Sequence, residues 1–391
     1  MYSNSLVDKL KWSLPWLVRY PKWRANELVR RWRDSDGETH IILLIANHYE
    51  PGLGEPALRR VEKWCELAQA TGDAVRDHDG TPFRHTNFFP AEQYERPLLD
   101  RLASLQSSGY GEVEIHLHHG LEKPDTVENT RMILEDFRDT LAIEHKCLSR
   151  ESRSARPSYG FVHGNWALAN SAGGRYCGVD SEMQILAETG CYADFTLPSA
   201  PDESQVPKIN AIYECGKPLS QRVPHRSGVN LEVGRAFKPP VIFTGPLVFD
   251  WSRRVRGLPV PRIEDGALAA NYPLNLNRFI SWGKANISVR GRPDWIFIKL
   301  YCHGFFDQDQ DTMIGSELIG FMQQVFDLAE RTEKFRIHFA SAREAYNMVI
   351  AAVEGKSGDP NDFRDYSLRE IMREDSKSDS SLRAELTNAL I

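Results

Sequence analysis

The sequence predicts an α/β protein whose strands and helices alternate and close into a (β/α) barrel. Strand-like and helix-like segments follow one another between Thr39 and Val353, and such alternation implies a parallel sheet, for which a barrel is an economical closure. The chain has 391 residues, a length that α/β barrels often reach. Four predicted strands end in histidine, as expected where functional groups gather at the carboxyl ends of barrel strands.

Local patterns place the elements in order. The first strand is predicted at residues 39–48, because Ile41 to Ile45 form the apolar run of a strand buried on both faces. A helix from about residue 124 to 147 begins with a capping box, and a helix at 181–189 is closed by Gly190. The other predicted elements are helices at 57–69, 312–330 and 342–353, a strand that leads into His116, and strands at 158–162, 192–197, 294–302 and 335–339.

Composition divides the chain into a barrel at residues 39–354 and two flanking segments. Residues 1–38 are basic and aromatic, and Pro15 and Pro21 should break any long helix there, so we expect this extension to pack across the barrel floor. Residues 198–293 hold twelve of the 22 prolines and are predicted to form an irregular elaboration over the barrel mouth. Residues 355–391 are charged and serine-rich, which predicts a mobile tail with one short helix.

Charge and hydropathy limit the classes of partner. The net charge of −6 argues against nucleic-acid binding. No apolar run approaches the roughly 20 residues of a membrane span, and no signal core is present, so a cytoplasmic protein without stable membrane insertion is expected. The six cysteines form no CxxC pair, which indicates reduced thiols and disfavours a cysteine zinc site. The oligomeric state is left open.

The segment from Glu112 to Gly120, which reads Glu-Val-Glu-Ile-His-Leu-His-His-Gly, carries the strongest chemical signal. In a strand, His116 and His118 share one face at a Cα separation of about 7 Å, close enough to bind one ion. His119 should face away and be structural. The simpler alternative is a polar strand end whose histidines make surface hydrogen bonds.

Histidines at three further strand ends strengthen the prediction of a site. His48 shares its strand face with Glu50, His163 follows residues 158–162, and His303 follows residues 294–302. Since the carboxyl ends of parallel strands meet at one rim, these side chains should converge with those of His116 and His118.

The order of these motifs resembles the polysaccharide deacetylase superfamily, metal-dependent carbohydrate esterases with a distorted, seven-stranded (β/α) barrel. His48-Tyr49-Glu50 stands where that family has an aspartate pair, Ile115-His116-Leu117-His118 stands at its histidine motif, and Leu300-Tyr301-Cys302-His303-Gly304 resembles its late Leu-His motif. The family's second metal histidine lies four residues after the first, whereas this chain has Glu122 four residues after His118. The family's arginine-proline-aromatic motif appears here as residues 161–166. The chain therefore resembles a divergent branch with a histidine-x-histidine strand end that occurs with surface-polysaccharide assembly.

The resemblance implies a hydrolase that removes an N- or O-linked acetyl group from a sugar or polysaccharide with the help of one divalent metal ion, zinc by preference. His116 and His118 are the expected ligands, and Glu50 or His48 completes the set. Glu50 is preferred because a carboxylate partly neutralises the ion, which leaves His48 as the base, but the opposite assignment stays open. His303 is the expected acid.

Other residues near the predicted rim have weaker roles. Asn165 and Trp166 are candidates for a sugar subsite, although Trp166 could equally be a packing residue. His163 either reaches the site or bonds a backbone carbonyl. Asp194 and Asp250 close strand-like segments and are more typical of caps or turns than of groups that orient a ligand. One further histidine, His338, is expected to be a hydrogen-bonded core residue.

Two other functions remain open. A glycoside hydrolase would need paired carboxylates, such as Glu50 with Asp194 or Asp250. A catalytically silent carbohydrate-binding barrel, acting as a scaffold in polysaccharide assembly, would explain why the usual aspartate pair is replaced.

Overall fold

The fold was analysed in a computed structural model, which describes residues 5–33, 37–151, 154, 156–252 and 254–373. The strands are β1 (Thr39–His48), β2 (His85–Pro90), β3 (Gly111–Leu117), β4 (Ser149–Glu151), β5 (Tyr159–His163), β6 (Cys191–Asp194), β7 (Ile212–Cys215), β8 (Gly228–Asn230), β9 (Val241–Phe243), β10 (Val248–Asp250), β11 (Arg254–Val255), β12 (Leu258–Pro259), β13 (Arg262–Glu264), β14 (Trp295–His303), β15 (Phe335–Phe339) and β16 (Leu368–Glu370). The α-helices are α1 (Leu6–Leu17), α2 (Tyr20–Arg33), α3 (Gly54–Ala74), α4 (Arg96–Ser107), α5 (Val127–Asp139), α6 (Glu182–Thr189), α7 (Leu276–Ala285), α8 (Gln310–Ile314), α9 (Ser316–Thr332) and α10 (Ala342–Val353).

A single large sheet carries the fold, in the order β14-β1-β2-β3-β5-β6-β9-β7-β8. Its ladders are parallel except those that involve β7 and β8. Strand β1 is central: β14 pairs with residues 40–48, while β15 pairs with residues 39–43 and β2 with residues 46–48. The carboxyl ends of β1, β2, β3, β5 and β14 therefore lie together at one end of the sheet.

The α/β class predicted from the sequence is confirmed, with the sheet curled into a half-barrel. In the described part of the chain, no ladder joins β14 to the strands at the far end. Irregular chain covers the outer edge of β14 instead: the amide of Leu268 donates to Tyr301 O at 2.9 Å, and the amide of Phe297 donates to Ile287 O at 2.8 Å. Closure into seven strands thus stays a prediction.

Apolar side chains cover both faces of β1, as its sequence predicts. Ile41, Leu43 and Ile45 belong to a core with α3, α4 and α9, whereas Ile42 and Leu44 belong to a second core with α10. Helix α10 is buried along almost its whole length, and its buried Arg343, Glu344 and Asn347 are all hydrogen-bonded.

The proline-rich residues 198–293 are more regular than the predicted elaboration. They contribute β7, β8 and β9 to the sheet beyond β6, and only the later residues form small separate hairpins. The N-terminal extension packs against this elaboration, since Trp16 is fully buried with Leu247 and its ring lies 5.8 Å from that of Phe249. The predicted break near the two prolines is confirmed, because α1 ends at Leu17 and α2 begins at Tyr20.

Part of the predicted mobile tail is ordered. Strand β16 pairs with β4, and the amide of Asn347 holds it through Leu368 O at 2.8 Å. The buried guanidinium of Arg343 donates to the carboxylates of Glu112 and Glu370 and, at 3.0 Å, to Leu368 O. The carboxylates neutralise its charge within the core. Residues 374–391 lie outside the described part of the chain.

None of the helices that the structure describes is both long enough and apolar enough to cross a bilayer.

Candidate metal centre

Histidines from three strands meet at the carboxyl end of the sheet, as predicted. His48 and His303 are register partners on β1 and β14, and their ring centroids lie 4.6 Å apart. The ring of His116, from β3, lies 5.1 Å from that of His48 and 4.5 Å from that of His118. We call these four histidines together with Glu50 the rim site.

Glu50 lies at the centre of the rim site. Its Oε1 atom is 3.3 Å from His116 Nε2 and 3.7 Å from His118 Nε2. One ligand atom each from Glu50, His116 and His118 lies within 4.8 Å of the others, and the same is true of Glu50, His48 and His303. Since Glu50 belongs to both groups, its carboxylate is the best placed third ligand.

Hydrogen bonds orient both His116 and His118. His116 Nδ1 lies 2.7 Å from the carbonyl oxygen of Val162, and His118 Nδ1 lies 2.6 Å from Glu92 Oε1. Because those oxygens only accept, each Nδ1 atom donates, and a neutral ring then presents the lone pair of Nε2 to the Glu50 carboxylate. Three acceptors that face one another in this way are well placed to share a cation.

Burial favours the neutral imidazole at His48, His116 and His303. Burial, and then the fields of His303 and His116, hold the pKa of His48 well below its usual value. Burial also lowers the pKa values of His116 and His303, although Glu50 opposes this shift in both. Burial would raise the pKa of Glu50, but the His116 hydrogen bond and the nearby imidazoles bring it below its usual value. A neutral imidazole keeps its Nε2 lone pair available for a metal ion.

Trp166 lies beside the rim site, whereas Asn165 is exposed at its outer edge. The Trp166 ring centroid is 6.0 Å from that of His303 and 6.2 Å from that of His48. Trp166, His303 and Phe306 border a cavity of about 490 Å³ whose far wall includes Arg262 from the elaboration. The cavity gives a ligand access to His303.

His163 does not reach the rim site. Its Nδ1 atom bonds the carbonyl oxygen of Gly164, which was one of its two predicted roles, and its Nε2 atom lies 3.0 Å from His119 Nε2. His119 faces away from His118, as predicted, but it belongs to a buried cluster with His163, Cys177 and Glu182. Burial alone would lower the pKa of His119, yet its bonds to Asp125, Cys177 and Glu182 raise that pKa to about 12. This cluster was not predicted, because Cys177 lacks a CxxC partner and Glu182 reads as a helix-start carboxylate.

Glu92 was also missed, since it follows β2, a strand that the sequence did not predict. The other candidates have local roles, as predicted. Asp194 accepts from the Thr196 hydroxyl at 2.7 Å, and Asp250 accepts from the Tyr272 hydroxyl at 2.8 Å. His338 is buried and its Nδ1 atom bonds Asp79 Oδ2 at 2.6 Å.

Comparisons of the chain with known protein families, with curated proteins and with solved structures find no match.

Proposed function

We propose that this protein is a metal-dependent hydrolase that removes an N- or O-linked acetyl group from a sugar in surface-polysaccharide metabolism. The observation that carries the proposal is the convergence of His116, His118 and Glu50 beside two further histidines, at the end of a parallel sheet where catalytic groups usually lie. The resemblance of the strand-end motifs to polysaccharide deacetylases, with their seven-stranded barrel, is part of the proposal.

The donor set fits a divalent ion. Two imidazole nitrogens and one carboxylate oxygen suit zinc, and would also accept nickel, cobalt or iron. The partners at the outer nitrogens, Val162 O and Glu92, are the kind of groups that fix ligand histidines in metal sites. A bound ion would supply a Lewis acid for the acyl oxygen and would lower the pKa of water from about 15.7 towards about 7.

His48 and His303 are proposed to move protons. His48 is largely neutral at pH 7, so its imidazole can take a proton from the attacking water. The pKa of His303 is less strongly lowered, and its ring lies 4.6 Å from that of His48, so a proton can pass from His48 to His303. The imidazolium of His303 would then protonate the departing amine or alkoxide. The reverse assignment, with His48 as ligand and Glu50 as base, remains open.

The cavity beside His303 supports a sugar as the substrate. Trp166, Tyr272 and Tyr301 line it and offer aromatic surface, and Arg262 and Asp309 offer polar groups for hydroxyls. Aromatic rings with a few polar groups are typical of small-molecule sites. We assign Trp166 to a sugar subsite within this proposal, and Asn165 to its exposed edge.

The silent carbohydrate-binding barrel is the second candidate. The strongly lowered pKa of His48 favours it, since a weakly basic imidazole is a poor general base. A glycoside hydrolase gains no comparable support, because Asp194 and Asp250 are bonded to Thr196 and Tyr272.

Metal content and acetate release test the proposal. Protein purified without a metal-affinity tag is analysed by inductively coupled plasma mass spectrometry, and acetate release is measured on N-acetylglucosamine oligomers and O-acetylated xylan. We expect the double variant His116→Ala/His118→Ala to lose about one equivalent of metal and all chelator-sensitive acetate release. Glu122→Ala is the matched control, since Glu122 is exposed and takes the family's second histidine position; it should keep both.

The outcomes separate the candidates. Metal lost in the double variant together with acetate release in the wild type supports the hydrolase. Equal metal content in the wild type and the double variant, with no turnover in either, would refute it and favour the silent barrel.

A further inference from the structure

The buried cluster behind the rim site has the composition of a metal site. His119 follows β3, His163 ends β5, Cys177 lies in the loop after them, and Glu182 begins α6. All four side chains are buried, and one ligand atom from each lies within 4.8 Å of the others. Two nitrogens, one sulfur and one carboxylate oxygen make four donors, the number that a closed zinc site uses.

With both rings neutral, the centre of this cluster holds a weak donor, the Cys177 thiol, which lies 3.7 Å from Glu182 Oε2. His119 Nδ1 lies 2.9 Å from Asp125 Oδ2, and His163 Nδ1 bonds Gly164 O, so each Nδ1 atom donates outward. The two Nε2 atoms then face each other at 3.0 Å, and Glu182 Oε1 lies 2.8 Å from one and 3.2 Å from the other. Neutral rings would place three acceptors in contact, which is unfavourable in a buried, poorly solvated position.

The surroundings of Cys177 favour a metal ion over a shared proton as the positive charge at the centre of the cluster. The backbone N–H of Val179 points at Cys177 Sγ from 3.4 Å, and the amide of Ala169 donates to Glu182 Oε2 at 2.6 Å. Amide donors to both atoms suit a thiolate and a carboxylate, the anionic forms that bind metal. One imidazolium would balance the Glu182 carboxylate but not a Cys177 thiolate as well, while a divalent ion would compensate both.

The loop between β5 and α6 explains what such an ion would stabilise. Several of its non-glycine residues have the left-handed backbone conformation, which is unfavourable for them: Asn165, Trp166, Ala169, Asn170 and Tyr176. Strained backbone persists only where the surroundings hold it firmly. Ligands at both ends of the loop would hold it, and the loop carries Trp166 to the rim site.

We propose that His119, His163, Cys177 and Glu182 bind a second divalent metal ion, zinc by chemistry, in a closed structural site that anchors the loop of residues 164–181. This site is separate from the rim site and does not depend on the proposed activity. The adjacent residues His118 and His119 would serve the two sites on opposite sides of the chain.

Cobalt substitution tests this proposal with a readout other than activity. Metal-stripped wild-type protein is titrated with Co²⁺, and the thiolate-to-cobalt charge-transfer band is recorded in the near ultraviolet. We expect the band in the wild type and in His116→Ala/His118→Ala, because neither lacks Cys177. Cys177→Ser should lose the band and about one equivalent of zinc, whereas Cys147→Ser, which changes another buried cysteine, should keep both.

Stability gives a second measurement. Zinc added to metal-stripped wild type should raise its melting temperature. The rise should persist in the rim-site double variant and disappear when Cys177→Ser is added to that double variant. Should Cys177→Ser not fold, the wild-type spectrum decides by itself. A wild-type protein that takes up Co²⁺ without a thiolate band, or takes up none, would overturn the proposal even if the rim site binds metal.

Discussion

Glu114 offers a quantitative test of the core beneath the rim site. It lies on β3, two residues before His116, and is 2% exposed. Its Oε1 atom accepts from the Tyr192 hydroxyl at 2.5 Å, and its Oε2 atom accepts from the Gly160 amide at 2.6 Å. Burial outweighs these bonds and raises the pKa of Glu114 to about 8.

Glu114 should make the free energy of unfolding fall as the pH rises, because its pKa differs between the folded and unfolded states. The folded pKa lies above the unfolded value of 4.5, so the folded protein keeps a proton that the unfolded chain has lost. The stabilisation is complete below the unfolded pKa and is lost as the pH rises through the folded pKa. One pKa unit corresponds to about 1.4 kcal/mol, so Glu114 should cost the folded state up to about 3–4 kcal/mol between pH 5 and pH 8.

Glu114→Gln should remove this cost. The amide oxygen can accept from the Gly160 N–H, and the amide nitrogen can donate to the Tyr192 hydroxyl oxygen, so both bonds survive without an ionisable group. We expect the variant to match the wild type within about 1 kcal/mol at pH 5 and to exceed its stability clearly at pH 8. Urea denaturation at several pH values measures the difference, and the exposed Glu122→Gln is the control. Parallel pH profiles for the wild type and Glu114→Gln would refute the reasoning.

Two further predictions concern a glycine that packs against His118 and a buried ion pair. A Cβ atom at Gly164 would clash with His118 Cδ2, so Gly164→Ala should weaken metal binding at the rim site by at least about tenfold. Gly320→Ala, which adds a methyl group in open space on α9, should leave metal binding unchanged. A zinc titration that gives Gly164→Ala the metal affinity of the wild type would contradict this. Glu264 accepts a hydrogen bond from Arg278 Nε at 2.8 Å, and both side chains are fully buried. Glu264→Gln should therefore lower the free energy of unfolding by about 3–5 kcal/mol, and adding Arg278→Met should restore part of that loss. A loss under about 1 kcal/mol in urea denaturation of Glu264→Gln would contradict this.

Elements with a strong local pattern were predictable from the sequence. The bounds predicted for β1, β15 and α10 agree with the structure. An apolar run defines β1, apolar residues alternate with polar ones in β15, and the capping box of Ser341 and Glu344 marks the start of α10. Strand β2 was missed because its buried His85, Thr86 and Asn87 read as a polar loop. Its polar groups find partners only in the folded chain: His85 Nε2 lies 3.2 Å from Met313 O, and the Thr86 hydroxyl accepts from the Ala342 amide.

The residues of the rim site were predictable because they lie at the ends of strands that the sequence predicts. Four histidines that end strands, with Glu50, do converge. The assignment of His163 to a second cluster was not predictable, because it depends on the turn at Gly164 and on a loop that returns Cys177 to the end of β5. A single sequence carries no signal for that return, since the residues between them follow no helical or strand period.

Strand β16 also sets the order in which the protein can mature during synthesis. Arg343 finds the carbonyl oxygen of Leu368 and the carboxylate of Glu370 only after residues near the end of the described chain have left the ribosome. Until then its buried position on α10, beside Glu112 of β3, lacks part of its compensation. The nascent chain can therefore pair its early strands before it completes the charged core behind them, because Arg343 lacks these two partners until β16 has emerged.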